Sequence, residues 1–287
     1  MRSDGTRIKE IPAFDKLIPY IMNRRYDATN FTRITLDITH LRGFLDKLRE
    51  MGHKVGIMDS VICALTMVME STPEINRFVA NKKLYQRNHR CVSFAVIKRV
   101  DERIAETAVK VYAEDGDDLI RLSEKIRALI KENKVPTNKS KMDRFVDGIM
   151  NIPMLPSVSI RMIKLLDRFG LLPKSIIALS PFHTSMFISN LASIKMDYLY
   201  HHLYDFGTTS FFVTLGKPEK HDHEDGYNKL TLGISIDDRV CFGALWAKAM
   251  LEFQQLIENP ERMVFSNTSS PNAPLPNTDN HQDASRL

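Results

Sequence analysis

Apolar and polar side chains alternate through Phe31-Thr32-Arg33-Ile34-Thr35-Leu36-Asp37-Ile38, the period of a strand with one buried face. The period then changes. Leu41, Phe44, Leu45 and Leu48 lie three and four apart, which predicts a helix with Thr39 as its N-cap and Gly52 at its end. After Gly56 a second helical stretch is apolar almost all round, from Val61 to Met69, and should be deeply buried until Pro73-Glu74-Ile75-Asn76 breaks it. Short strands are predicted at about Lys83–Gln86, Cys91–Lys98 and Ile104–Tyr112. An amphipathic helix follows Gly116, with Leu119, Leu122, Ile126, Leu129 and Ile130 on one face. The polar run from Lys131 to Lys141 reads as a loop.

From Met142 to Leu179 two helical patterns are separated by Pro153 and Pro156. The second sets Val158, Met162, Leu165, Leu166 and Phe169 against Arg161, Lys164 and Arg168. Such a helix can pack on its own domain, cover a hydrophobic site or lie on a membrane surface. Strands are expected again at Met186–Asn190, Thr208–Gly216 and Lys229–Asp237. In the last, Leu230, Leu232, Ile234 and Ile236 alternate with Thr231, Gly233, Ser235 and Asp237. A helix from about Ala244 to Glu258 stops at Asn259-Pro260, and the chain beyond Ser266 has the composition of a disordered tail. Strands and helices mix irregularly without an internal repeat, which favours an α+β layered domain.

Composition narrows the class. With 43% hydrophobic and 26% charged residues in 287, the chain can build a core. The net charge of +5 suits an anionic ligand and is too small to argue for nucleic acid. Cys63, Cys91 and Cys241 form no CxxC pair, so a reducing, cytoplasmic setting is expected, without metal. Met1–Glu10 is charged and lacks an apolar signal core, and no apolar stretch is long enough to span a membrane.

The chain has no P-loop, dinucleotide loop, G-x-S-x-G elbow or HExxH. His221-Asp222-His223-Glu224-Asp225 could bind a metal by residue type, but between two strands it reads as a solvated hairpin loop. The strongest signal is Asp237-Asp238-Arg239-Val240-Cys241-Phe242-Gly243, which closes an alternating strand and opens a helix. It resembles the D-H-R-x-x-D-G motif of the dihydrolipoyl acyltransferases, catalytic cores of the 2-oxoacid dehydrogenase complexes, and their relative chloramphenicol acetyltransferase. Phe187-Ile188-Ser189-Asn190-Leu191 is similar to the family's F-T-I-S-N-L-G strand, and Pro73-Glu74-Ile75-Asn76 to its P-E-L-N. Gly207–Lys217 and Asn259-Pro260 match in order, so the resemblance runs from about Tyr26 to Pro260.

The resemblance implies a two-layer α+β sandwich of the chloramphenicol acetyltransferase type, a mixed sheet with helices on one face. Residues 1–25 would lead in, 26–264 would form the domain with an insertion at about 131–179, and 265–287 would be a tail. It implies a homotrimer with sites between subunits, taking acyl-CoA as donor and an unknown acceptor whose hydrophobic character the apolar insertion suggests. Lipoyl domains, usual before the family's catalytic core, are not expected in this chain. Two motif positions depart from the family: Asp238 stands where its histidine would take a proton, and Phe242 where its second carboxylate would be. A carboxylate, with a reference pKa near 4, is a weaker base than an imidazole near 6.5. By resemblance Asp238 would be the base or orienting group, Ser189 the oxyanion donor, and Asn190 and Arg239 would border the CoA channel, Arg239 also pairing ions. His202, within His201-His202-Leu203-Tyr204-Asp205, and His183 are substitute bases, and Cys241 is a candidate nucleophile. The chain is thus expected to be a stand-alone acyltransferase with an altered base. A catalytically inactive trimeric binding module is the alternative.

Overall fold

A computed structural model of the chain describes residues 2–100, 103–134, 144, 148, 151, 155–220 and 228–265. The metal-like group at 221–225 and the tail beyond 265 lie outside them, as does most of the first helical pattern of the insertion.

A mixed seven-stranded sheet organises the molecule. Its strands are β2 (Thr29–Asp37), β5 (Arg90–Val100), β6 (Arg103–Ala113), β7 (Met186–Asn190), β8 (Phe211–Leu215), β9 (Glu219–Lys220) and β10 (Asn228–Asp237). The order is β2-β10-β8-β7-β5-β6, with β9 added beside β10. β7 runs parallel to both β5 and β8, and the other pairings are antiparallel. A smaller antiparallel sheet joins β1 (Gly5–Arg7), β4 (Lys83–Arg87) and β3 (Arg77–Ala80) in that order.

One face of the large sheet carries the core. Leu36, Phe94, Ile188, Val213, Leu232 and Ile234 pack there against α2 (Thr39–Glu50), α3 (Ile57–Ser71), α4 (Leu119–Lys134) and α7 (Gly243–Glu258). Fully burying one such side chain contributes roughly 1.5–3 kcal/mol, which is why the all-round apolar α3 sits at the centre. Three sequence expectations change in detail. Thr39 is the first residue of α2, and it is the Asp37 carboxylate that accepts the Thr39 N–H, at 2.9 Å. The helix predicted to end before Lys131 continues to Lys134. The strand predicted from Thr208 begins at Phe211, because the N–H groups of Thr208 and Thr209 both bond to Phe182 O instead of the sheet.

β10 departs from a one-sided strand. Ser235 and Asp237, on its polar side, are buried like the leucines and isoleucines opposite. The chain between Asp197 and Gly207 crosses that side: a Cβ on Gly233 would lie 2.2 Å from Leu199 O, and Thr214 Oγ1 meets both the N–H and the C=O of Leu199. Gly207 takes a left-handed φ of 75° where the segment passes Phe182 O, a turn that favours glycine.

The first 25 residues do more than lead in. β1 pairs with β4, and α1 (Ala13–Ile21) follows it. The buried Arg2 donates to Asp4 from Nε (2.9 Å) and Nη2 (3.0 Å), and Nη2 also reaches Asp167 of the insertion helix α5 (Leu155–Phe169) at 2.6 Å. Burial of Asp4 and partial burial of Asp167 would raise their pKa values, yet Arg2 holds Asp4, and His183 followed by Arg2 hold Asp167, below the ordinary 3.8. A depressed carboxylate contributes stability that is present above about pH 4 and drains as pH falls through its folded-state value. The urea midpoint should therefore fall between pH 5.5 and 3, and the fall should be shallower in Asp167→Asn. Equal slopes in both proteins would contradict the clamp.

Candidate functional site

Asp237 is the last residue of β10 and fully buried. Its carboxylate accepts from Arg239 Nε (2.8 Å), Arg239 Nη2 (2.7 Å) and the Arg239 N–H (3.2 Å), and Arg25 Nε stands 3.6 Å away. Arg239 Nη1 donates to Met22 O at 3.2 Å, while Arg25 donates to Tyr204 O and Gly207 O. This lattice ties the end of β10 to the chain on both sides of it. Arg239 accordingly spends its guanidinium on Asp237 and Met22.

Asp238 follows, half-buried, its N–H held by Ala28 O at 2.9 Å. Among the described residues its carboxylate has no hydrogen-bond or ion-pair partner. It lines a cavity of about 320 Å³ beside α1 and β4, whose wall mixes apolar side chains (Ile8, Ile11, Phe14, Leu84 and Phe242) with the charged Glu10, Asp15, Glu74, Arg77 and Arg239. Phe242, at the second replaced motif position, is 50% exposed.

Ser189 sits elsewhere. It pairs with Thr214, which pairs with Gly233, so Ser189 stands level with the middle of β10. From Gly233 to Asp238 is about 17 Å of extended chain, and β7 lies two strand spacings, about 10 Å, from β10. Within one protomer Ser189 and Asp238 are therefore on the order of 20 Å apart, too far to act on one carbonyl. By alternation Ser189 shares the non-helical face with Phe187, and Asn190 ends the strand with its buried Oδ1 unbonded. On the same face His201 stacks on Phe212, centroids 4.0 Å apart, and burial holds its imidazole below the ordinary value.

The substitute bases fare differently. His202 is exposed and stacks on His201. His183 is fully buried, its Nδ1 bonded to Ser180 Oγ at 2.8 Å and its Nε2 3.4 Å from Asp167. It belongs to the clamp on α5 and is closed off from solvent. Burial pushes the Cys241 thiol up to about 12, so it is protonated at neutral pH and a poor nucleophile.

Sequence reading missed a cluster at the start of β5. Burial alone would raise the Cys91 thiol, but His89, Lys110 and Arg87 outweigh it and bring the value to about 6. The Cys91–Tyr112 and Ser93–Lys110 register puts Lys110 on the same sheet face as Cys91, and Arg87 and His89 lie just before Cys91 in the chain. The insertion helix also differs from the simple packed reading. Val158, Met162, Leu165 and Phe169 face outward, and Asp167 makes the polar anchor. No described helix is long and apolar enough to cross a membrane, and the described residues contain no metal-binding group of His, Cys, Asp and Glu.

No family model and no curated protein sequence matches the chain. Solved structures do. A probable dihydrolipoamide acetyltransferase from Listeria monocytogenes aligns with a TM-score of 0.54 at 14% identity, covering 91% of this chain and 98% of that one. The Azotobacter vinelandii dihydrolipoamide acetyltransferase, studied for the role of a serine, a histidine and an asparagine in its catalytic mechanism, aligns at 0.53 and 15% identity over 89% and 93%. Chloramphenicol acetyltransferase aligns at 0.54 and 9% identity over 89% and 98%. The chain has the α+β fold shared by dihydrolipoamide acetyltransferase cores and chloramphenicol acetyltransferase.

Proposed function

We propose that the chain is an acyltransferase that moves an acyl group from a CoA thioester to a nucleophilic acceptor, in a site completed by a neighbouring copy of itself. The observation that carries this reading is Asp238: a half-buried carboxylate without a bonded partner among the described residues, on a cavity of mixed apolar and charged wall, at the end of the last long strand of an acetyltransferase fold. The acceptor's Y–H attacks the thioester carbonyl and Asp238 takes the proton. The oxyanion that forms accepts a hydrogen bond from the Ser189 hydroxyl. The C–S bond then breaks, the acyl group stays on the acceptor, and the CoA thiolate leaves and is protonated. Because Ser189 and Asp238 of one protomer are too far apart, the serine serving a given Asp238 comes from the next copy. A homotrimer provides that arrangement, and the exposed apolar residues of α1 (Phe14, Leu17, Tyr20, Ile21) offer surface for such contacts. The three free, buried cysteines are in keeping with a reducing cytoplasm.

A second reading, an inactive module that binds without turnover, is favoured by Phe242, an exposed aromatic where a site-supporting carboxylate would be. A panel of acyl-CoAs with amine, thiol and alcohol acceptors separates the two. Transfer predicts release of free CoA that drops about 10²–10³-fold in Ser189→Ala, the worth of one oxyanion donor. No release across the panel, with CoA still bound in calorimetry, would make the binding module the correct reading.

A further inference from the structure

A second pocket, about 460 Å³, opens on the other side of Arg239 from the Asp238 cavity. It lies between α1, the β3–β4 turn, α5 and the loop at Asp205–Gly207. That volume is in the range of small-molecule sites.

Its charge is lopsided. Arg25 and Arg239 contribute to the wall but are answered by Asp237. Asp167, also in the wall, is taken by Arg2. Four further cations remain: Arg24, Lys82, Lys164 and Arg168, facing the single carboxylate of Asp205. Among the described residues none of the four forms a salt bridge. Lys82 sits over the Tyr20 ring, 4.8 Å from its centroid, Arg24 donates to the Tyr26 hydroxyl, and Arg168 donates to the neutral Asn81 at 3.1 Å. The buried Arg25 is turned away from this role: its Nε faces Asp237 at 3.6 Å and its other nitrogens donate to Tyr204 O and Gly207 O.

Unanswered cations converging on a concave surface raise the local concentration of anions. Guanidinium forks together with ammonium points are the side chains that hold phosphate oxygens. Lys164 and Arg168 are one helical turn apart on α5, so the insertion itself contributes half of the four cations. We infer that this pocket binds a pyrophosphate-type group carried by a small organic molecule. The group could belong to a free nucleotide or to the ADP portion of CoA. The inference stands whether or not the chain transfers acyl groups.

Calorimetry on the whole chain at low ionic strength, with inorganic pyrophosphate as first probe, tests it. Saturable binding is expected at one site per chain, tighter than for orthophosphate. The surface variants Lys164→Glu and Arg168→Glu should each weaken it at least about tenfold, with circular dichroism and thermal midpoint unchanged. Asp238→Asn should leave it alone. ADP and CoA then identify the source: competition by CoA with the same loss in the variants assigns the pocket to the acyl donor, and competition by ADP alone assigns it to a free nucleotide. Absence of saturable pyrophosphate binding, or equal affinity in both charge-reversal variants, overturns the inference.

Discussion

Replacing Asp237 by alanine should destabilise the protein by about 3–5 kcal/mol, the cost of breaking a buried ion pair from one side. For a domain of this size that is a fall of roughly 6–20 °C in thermal midpoint. The carboxylate accepts from two nitrogens of Arg239 and faces Arg25, and no other carboxylate in the described structure is in salt-bridge contact with either arginine. Burial already depresses the Arg25 pKa, against the raising influence of Asp237, so removing Asp237 leaves that charge with burial and no counter-ion. The double replacement Asp237→Leu with Arg239→Met should recover part of the loss, because a buried pair exchanged for apolar side chains costs little. Differential scanning calorimetry reads both. A midpoint shift under about 2 °C in Asp237→Ala would mean that water reaches the pair and screens it.

That lattice gives the motif at 237–243 two separable jobs. Asp237 and Arg239 fix the exit of β10 and the position of α1 through Met22 O. Asp238 and Phe242 face the cavity and carry no comparable bond. Asp237 and Arg239, which resemble the acyltransferase motif, are thus the ones that hold the backbone, and the two that differ are the ones that face the cavity. A fold can survive such replacement untouched while its chemistry changes.

Legibility in the sequence follows the same division. β10 is readable because a strand's period of two is local and Leu230, Leu232, Ile234 and Ile236 mark it, and β7 because a short apolar run stands between polar flanks. The buried α3 was readable because an all-apolar helix has few other places to go. The crossing of Asp197–Gly207 over the sheet was hidden, since it rests on the absence of a Cβ at Gly233 and on Thr214, residues that look ordinary in a strand. The role of His183 was hidden for a related reason: its partner Asp167 lies on an inserted helix, and Arg2, which completes the clamp, lies at the chain's start. The basic pocket draws cations from α1's flank, a hairpin turn and α5, so no window of sequence contains it. The separation of Ser189 from Asp238 depends on strand register, which neither motif encodes.

Asp238→His should raise CoA release with thiol acceptors by about 10²–10⁴-fold, the usual contribution of a positioned general base. An imidazole with its pKa near neutrality can take a thiol proton and still return it, a match that carboxylates as a class do not offer. The gain should carry a signature. The rate should climb with pH through about 6.5 as the imidazole becomes neutral. It should disappear when Ser189→Ala is added, because the two side chains serve opposite ends of one reaction. The half-buried position beside an open cavity has room for the larger ring, and the N–H of residue 238 remains bound to Ala28 O whatever the side chain. A folded Asp238→His protein, of the same oligomeric state as the parent, that releases CoA no faster at any pH would show that position 238 does not meet the thioester. The likeness of fold would then extend to the scaffold and stop short of the reaction.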